Sequence, residues 1–111
     1  MTKIGLFTKR VFRKMVKHIV MFKLSGTEEE RKAVAGKFRD ALMALPAEID
    51  VLESMEVGIN ANPGEEWDVV LTAVVPDMAS VDIYAKHPAH VAAALLLAGH
   101  KEARACVDYE F

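Results

Sequence analysis

The residues best suited to acid–base chemistry are histidines and a tyrosine. The chain of 111 residues holds four histidines, and the segment His87-Pro88-Ala89-His90 places two of them shortly after Tyr84. A third, His18, lies in an apolar segment near the start of the chain. Imidazole titrates near neutral pH, so it can accept or donate a proton under physiological conditions. His18, Tyr84 and His90 are therefore the candidate catalytic residues.

His90 is expected in the first turn of a helix that begins at Pro88. The positive end of the helix dipole disfavours imidazolium there, which keeps a neutral base available. The hydroxyl of Tyr84 could then bind an enol or carbonyl oxygen. His18 could equally well be a structural histidine that is buried in the core and held by a hydrogen bond. His87 more simply ends the preceding helix, where a histidine can meet free carbonyl groups.

Metal and cofactor chemistry find little support in the sequence. His87 and His90 stand three apart near one helical face, and with His18 they could hold a metal, but no carboxylate or thiol lies close in sequence to complete a site. Cys106 is the only cysteine, which excludes an internal disulfide, and its apolar surroundings predict a buried thiol. No glycine-rich phosphate motif is present. We expect neither a metal nor a cofactor, and His100 and Cys106 receive no role.

Hydrophobic alternation predicts four strands. In the first, residues 17–24, His18, Val20 and Phe22 share one face with Leu24, while Ile19 and Met21 lie on the other. The third reads WDVVLTAVV and is apolar on both faces, which is typical of a strand buried on both sides. The other three predicted strands cover residues 51–60, 67–75 and 103–111.

Helix signals separate these strands. Thr27 followed by Glu30 forms a capping box, and the helix that it starts should end at Pro46. Asp77 can cap a short helix that runs through Tyr84, and a further helix is predicted over residues 88–97. The order strand, helix, strand, strand, helix pair, strand is the ferredoxin-like arrangement. The fold class is thus α+β, with a four-stranded antiparallel sheet and helices on one face.

One copy of this fold leaves an apolar surface open to water. Helices cover a single face of the sheet, yet the first and third strands carry apolar side chains on both. Strands about 4.8 Å apart and roughly 20 Å long make a face of about 400 Å², and its burial is worth up to ~10 kcal/mol per subunit. Pairing two sheets about a two-fold axis covers this face. The pattern predicts a homodimer, formed through the sheet faces, in which two copies make a dimeric α+β barrel.

Several stretches together resemble the stress-responsive dimeric α/β-barrel family. They are Val16-Lys17-His18-Ile19-Val20 with Phe22-Lys23, Glu56-Val57-Gly58 ahead of Trp67-Asp68, Tyr84 with His87-Pro88-Ala89-His90-Val91, and the closing Val107-Asp108-Tyr109. The resemblance covers residues 15–111, and the H-P-A-H segment is its most specific part. It implies a ferredoxin-like fold paired into a dimeric barrel with a cleft in each subunit.

The family includes plant stress proteins without an evident reaction. It also includes a polyketide cyclase that closes a ring by aldol condensation with cleft histidines and a tyrosine, to which His18, Tyr84 and His90 are similar in position. One histidine of that cyclase falls in the third strand, where this chain has Val69 beside Asp68, so the set of polar groups is incomplete here. Trp67 could gate the cleft or anchor the start of that strand.

The leading functional hypothesis is a dimeric barrel that binds a modest apolar or aromatic molecule, without an established reaction. The resemblance to the family implies a role in stress response. An enzyme is the alternative, a cyclase or lyase on a carbonyl compound with His90 as base and His18 and Tyr84 as orienting groups. A purely structural unit would instead fill the cleft with Met21, Met55 and Leu95. The predicted ligand-binding residues are His18, Val20, Phe22, Trp67, Val69, Tyr84, His87 and His90.

Composition excludes other classes of function. A net charge of −2 and a pI near 6.1 provide no positive field for DNA or RNA. No stretch approaches the roughly 18 apolar residues of a membrane span, and the single cysteine is typical of a reducing compartment. We therefore expect a cytoplasmic protein that binds neither nucleic acid nor membranes.

Residues 1–14 differ from the rest of the chain. They carry five basic residues and no acid, whereas the domain pattern starts at Met15. Their apolar stretch is too short for a secretory signal. Three interpretations stay open: a loose basic arm, a short helix that touches a membrane surface, or an upstream start codon ahead of a natural start at Met15.

Overall fold

The computed structural model describes residues 14–111. This part of the chain contains four strands and three α-helices. They are β1 (Val16–Leu24), α1 (Glu28–Met43), β2 (Ser54–Ile59), β3 (Val69–Val75), α2 (Met78–Lys86), α3 (Pro88–Leu95) and β4 (Lys101–Glu110). A single 3₁₀ turn, Leu45–Ala47, follows α1.

The strands form one antiparallel sheet in the order β2-β3-β1-β4. The first and third strands are central, and the last strand lies at an edge beside the first. This is the ferredoxin-like arrangement that the sequence predicts, so the fold class is confirmed. Its consequence for function is that residues near the two ends of the chain become neighbours.

One face of the sheet carries the core. Along β1 the side chains of Val16, His18, Val20, Phe22 and Leu24 are buried, and the residues between them are only half-buried. The same alternation occurs in β3, as expected when successive side chains point to opposite faces. From α1 and the turn after it, Phe38, Leu42 and Leu45 complete this core.

The opposite face is apolar and uncovered in the single subunit. It includes Ile19 and Met21 of β1, paired with Val107 and Ala105 of β4. Val107 is 61% exposed and Tyr109 is 41% exposed. A surface of this kind marks an interaction site rather than a solvated face.

The predicted helix starts are confirmed by hydrogen bonds. Thr27 Oγ1 accepts from the N–H of Glu30, and the Asp77 carboxylate accepts from the N–H of Ser80. Boundaries at the other ends differ from the predictions. Helix α1 ends at Met43 rather than at Pro46 because the proline is accommodated in the 3₁₀ turn. The second strand is shorter than residues 51–60, and β4 starts two residues before Ala103.

The expectations for the basic N-terminal segment fall on residues 1–13 and on Lys14, so they lie almost entirely outside the described residues. Within residues 14–111, every helix is too short or too polar to cross a membrane.

Candidate functional site

Strand pairing brings the two ends of the domain together at His18. In the register between β1 and β4, His18 lies opposite Asp108 and Val20 lies opposite Cys106. His18 Nδ1 lies 2.5 Å from Asp108 Oδ1, and Cys106 Sγ lies 3.6 Å from the same nitrogen. Because a carboxylate only accepts hydrogen bonds, Nδ1 carries the proton. The predicted core histidine is thus hydrogen-bonded, and its partner is an acid 90 residues away.

Asp108 and Cys106 escaped the functional prediction from the sequence. Their partner His18 lies 90 and 88 positions earlier in the chain, so no short-range sequence pattern joins them to it. A usable signal was present, because Cys106 and Asp108 alternate with Val107 and the ferredoxin-like order puts the last strand beside the first. Burial raises the pKa of the Cys106 thiol, and the nearby Asp108 carboxylate adds to this effect. The Cys106 side chain is therefore protonated and uncharged near pH 7.

Tyr84 lies between two histidines. Its ring meets that of His18 edge-on, with centroids 5.8 Å apart, and its centroid is 4.5 Å from that of His90. The residue is 1% exposed, and its hydroxyl finds no hydrogen-bond partner among residues 14–111. Burial strongly raises the pKa of this hydroxyl, so it remains a proton donor. The structure therefore brings the three predicted catalytic residues together.

His90 is held in one tautomer. Its Nδ1 lies 2.8 Å from the carbonyl oxygen of Ala85, and because a carbonyl only accepts, the proton is on Nδ1. The second nitrogen, Nε2, then carries the lone pair. Burial lowers the pKa of His90, and the charges of His18 and Arg104 lower it further. Near neutral pH the ring is therefore mostly uncharged, because of burial rather than the helix dipole named from the sequence; its role as a base stays a prediction.

His87 has a structural contact of a different kind from the predicted one. Its Nδ1 accepts a hydrogen bond from the N–H of Ala89 at 3.0 Å and so caps the start of α3. From the sequence, this side chain is predicted to bond to carbonyl groups at the end of the preceding helix. For Nδ1 this prediction is wrong, because Nδ1 bonds to an N–H of the following helix. Only the backbone N–H of His87 bonds to a carbonyl of that helix, that of Tyr84.

Most of the other predicted ligand-binding residues lie away from His18. Val69 pairs with Phe22, four positions along β1 from His18, which is roughly 13 Å away. Val20, Phe22 and Val69 are buried in the core, where Phe22 packs edge-on against Phe38. Trp67 is half-buried just ahead of β3. Val20 lies opposite Cys106 and so beside His18, whereas Phe22, Val69 and Trp67 lie toward the far end of the sheet. The predicted contact of these four residues with a ligand stays a prediction.

The three residues named for a cleft filled by the protein's own side chains also lie apart from one another. Leu95 is 66% exposed, and Met21 lies on the open face of the sheet. Met55 alone is part of the core. The three residues thus have different surroundings in the single subunit, and a cleft filled by the protein's own side chains stays a prediction.

A wide polar depression of about 680 Å³ opens at the far end of the sheet. It lies between the turn after β1 and the loop between β2 and β3, and an ion pair joins Arg31 to Asp68 there. None of the eight predicted ligand-binding residues lines it. The site around His18 is thus separate from this depression.

The fold and these contacts agree with a family match. Residues 16–111 match the model of the Stress Responsive A/B Barrel Domain family. The chain belongs to this family, as the resemblance of its motifs implied.

Solved structures show the same fold. A dimeric protein of unknown function with a ferredoxin-like fold from Bacteroides fragilis is 52% identical, with a TM-score of 0.85 over 87% of this chain and 96% of that chain. A dimeric ferredoxin-like protein of unknown function from Jannaschia is 24% identical, with a TM-score of 0.73 over 87% of this chain and 99% of that one.

A hydroxynitrile lyase from Passiflora edulis has the same fold at 11% identity, with a TM-score of 0.66 over 89% of this chain and 94% of that chain. At this identity the similarity shows the fold alone. Among curated proteins, no match was found.

Proposed function

We propose that the protein is a homodimer in which each subunit binds a small carbonyl compound beside α2 and α3 and transfers a proton on it. His90 is the base, the Tyr84 hydroxyl donates to the carbonyl oxygen, and His18, held by Asp108, orients the compound. The single cysteine, Cys106, supports a reducing, cytoplasmic setting.

The chemistry follows from the protonation states. His90 Nε2 takes a proton from the carbon next to a carbonyl, and the bonding electrons move toward the carbonyl oxygen. The oxygen then gains negative charge, which a nearby hydroxyl donor stabilises. Tyr84 suits this task because its raised pKa keeps the proton on the hydroxyl. Return of the proton from His90 to carbon or oxygen completes the cycle.

The observation that carries the proposal is the lone hydroxyl of Tyr84. A buried polar group without a partner costs about 1–3 kcal/mol. A phenylalanine would fill the same space without this cost, so a purely structural role gives no reason for the hydroxyl. A ligand oxygen that accepts its hydrogen bond does give one.

The test uses proton exchange on small probes. We expect the protein to accelerate the exchange of α-protons for deuterium in simple ketones and aldehydes, followed by NMR. Tyr84→Phe should slow the active reaction by roughly 100-fold, the usual size of such a contribution, while leaving the protein as stable as before or more stable.

His90→Gln should cause a loss of similar size, and His100→Gln is the matched control because His100 lies in the turn before β4, away from Tyr84. Equal rates in Tyr84→Phe and the unaltered protein would refute the proton-transfer role. Saturable binding of an aromatic probe without any exchange would favour the alternative function, a binding protein without a reaction.

The dimer has its own test. The open face of the sheet supports pairing, as do two similar structures that are described as dimeric. Val107→Glu puts a charge on that face and should convert the dimer to a monomer in native mass spectrometry. Leu95→Glu is the control, because Leu95 is equally exposed but lies on the helix side. Dissociation in both variants, or in neither, would contradict pairing through the sheet faces.

A further inference from the structure

Three different ligand types meet where β1 and β4 pair. His18 offers an imidazole nitrogen, Cys106 a sulfur and Asp108 a carboxylate oxygen, and these atoms all lie within 4.8 Å of one another. From the sequence, no metal is expected because no carboxylate or thiol lies close to the histidines along the chain. Pairing of β1 with β4 brings both groups to His18, so a metal site becomes feasible.

The distances match a tetrahedral site. Zinc bonds of about 2.3 Å to sulfur and about 2.0–2.2 Å to nitrogen or oxygen place the sulfur about 3.5 Å from each of the other two ligands. Cys106 Sγ lies 3.6 Å from His18 Nδ1 and 3.9 Å from both Asp108 oxygens. Three edges of the tetrahedron join these protein ligands, and two of the three are therefore nearly in place.

The third edge needs a small movement. His18 Nδ1 and Asp108 Oδ1 are 2.5 Å apart because the proton on Nδ1 is donated to the carboxylate in a hydrogen bond, whereas two zinc ligands of this kind lie about 3.3 Å apart. If that proton is lost to solvent and the two atoms move apart by less than about 1 Å, their separation fits a zinc site. Asp108 can move, since it lies on an edge strand and its side chain is 24% exposed.

We propose that His18, Cys106 and Asp108 bind a divalent transition metal ion of the zinc type. Mixed nitrogen, sulfur and oxygen ligands suit zinc and its neighbours, not calcium or magnesium, which prefer oxygen alone. Three protein ligands leave the fourth position for water or a substrate oxygen, as in catalytic zinc sites. The ion would lie beside the His18 ring that contacts Tyr84. Metal binding itself is independent of the proposed proton transfer. A role of the metal ion in polarising the carbonyl, by contrast, rests on that proposed function.

Cobalt is a suitable probe because its absorption reports its ligands. The chelator-treated protein is titrated with Co²⁺ at neutral pH. We expect a thiolate-to-cobalt charge-transfer band that saturates at one ion per subunit, with visible bands of tetrahedral intensity, and loss of both on addition of Zn²⁺. Cys106 is the only cysteine, so a thiolate band reports this site and no other.

Substitutions test the other two ligands. Asp108→Asn and His18→Ala should each weaken cobalt binding by at least roughly tenfold, since even losing a group that only hydrogen-bonds a metal ligand costs that much. His100→Asn is the matched control and should leave the titration unchanged. Because buried His18 could be needed for folding, circular dichroism checks each variant, and the partly exposed Asp108 keeps the test valid if His18→Ala is unfolded.

A titration without a thiolate band would overturn the proposal. So would a band that Asp108→Asn and His18→Ala leave unchanged, because Cys106 would then bind cobalt alone. The titration contains no organic substrate, so metal binding can hold while the proposed reaction fails. Equally, exchange activity that survives chelation would support the reaction without the metal.

Discussion

Two aspartates at opposite ends of the sheet use their carboxylates differently. Asp68, at the start of β3, accepts from the backbone N–H of Leu24 at 2.6 Å and from Arg31 Nε at 3.0 Å. Asp108, near the end of β4, meets the imidazole of His18 and the thiol of Cys106. The Asp68–Arg31 and Asp108–His18 contacts join residues 37 and 90 positions apart, and both carboxylates are partly shielded from solvent.

The difference lies in what the partners can do. A backbone N–H and a guanidinium cannot be deprotonated near neutral pH, so Asp68 has a fixed structural task, the attachment of the turn after β1 to β3. An imidazole and a thiol can each lose a proton and bind a metal. The same residue type is therefore structural at one end of the sheet and part of a chemical site at the other.

The largest expected effect is a loss of stability when Asp68, at the structural end of the sheet, is replaced. Asp68→Ala leaves the N–H of Leu24 and the Arg31 guanidinium without their acceptor, so we expect the free energy of unfolding to fall by about 2–3 kcal/mol. Urea unfolding measures it, at one protein concentration because dimer stability depends on concentration. The control is Asp40→Ala, whose exposed pair with Arg39 is worth less than about 1 kcal/mol. A loss of equal size in the two variants would remove the structural role of Asp68.

A smaller change in stability is expected at the chemical end. Asp108→Asn keeps an oxygen that accepts from His18, so the free energy of unfolding should change by less than about 1 kcal/mol. Its effect should appear instead in cobalt binding and in proton exchange, both of which need the negative charge. If Asp108→Asn unfolds as readily as Asp68→Ala, the contrast between the two ends is lost.

The smallest effect concerns pH. Burial lowers the pKa of His90 below its usual value of 6.5, so the unfolded chain takes up this proton before the folded one does. The contribution of His90 to stability is therefore complete above about pH 6.5 and is lost as the pH falls toward the folded pKa. Urea midpoints at pH 7.5 and 5.5 should differ less in His90→Gln than in His100→Gln. An equal difference in both variants would mean that His90 is not the buried neutral base.

Much of the fold was predictable because its signals are local. Thr27 and Asp77 cap helices as their sequence patterns indicate, and the alternation of β1 identified both of its faces. The end of α1 was less predictable, since Pro46 is tolerated in a 3₁₀ turn after the helix.

The candidate site was predictable only in part. His18, Tyr84 and His90 do come together, as the resemblance to the family implied. The locations of Val69 and Trp67 relative to them depend on the register of the pairing between β1 and β3. That register is set by packing across the whole sheet rather than by either residue.

By itself, the sequence determined the order of the elements, their caps and the two-sided apolar character of the central strands, because each depends on residues within a few positions of one another. The tertiary structure alone decided that Asp108 and Cys106 reach His18, and that the Tyr84 hydroxyl is buried without a partner among residues 14–111. These contacts join residues up to 90 positions apart. Such contacts come from the pairing of the first and last strands and the packing of α2 on the sheet, which no local pattern contains.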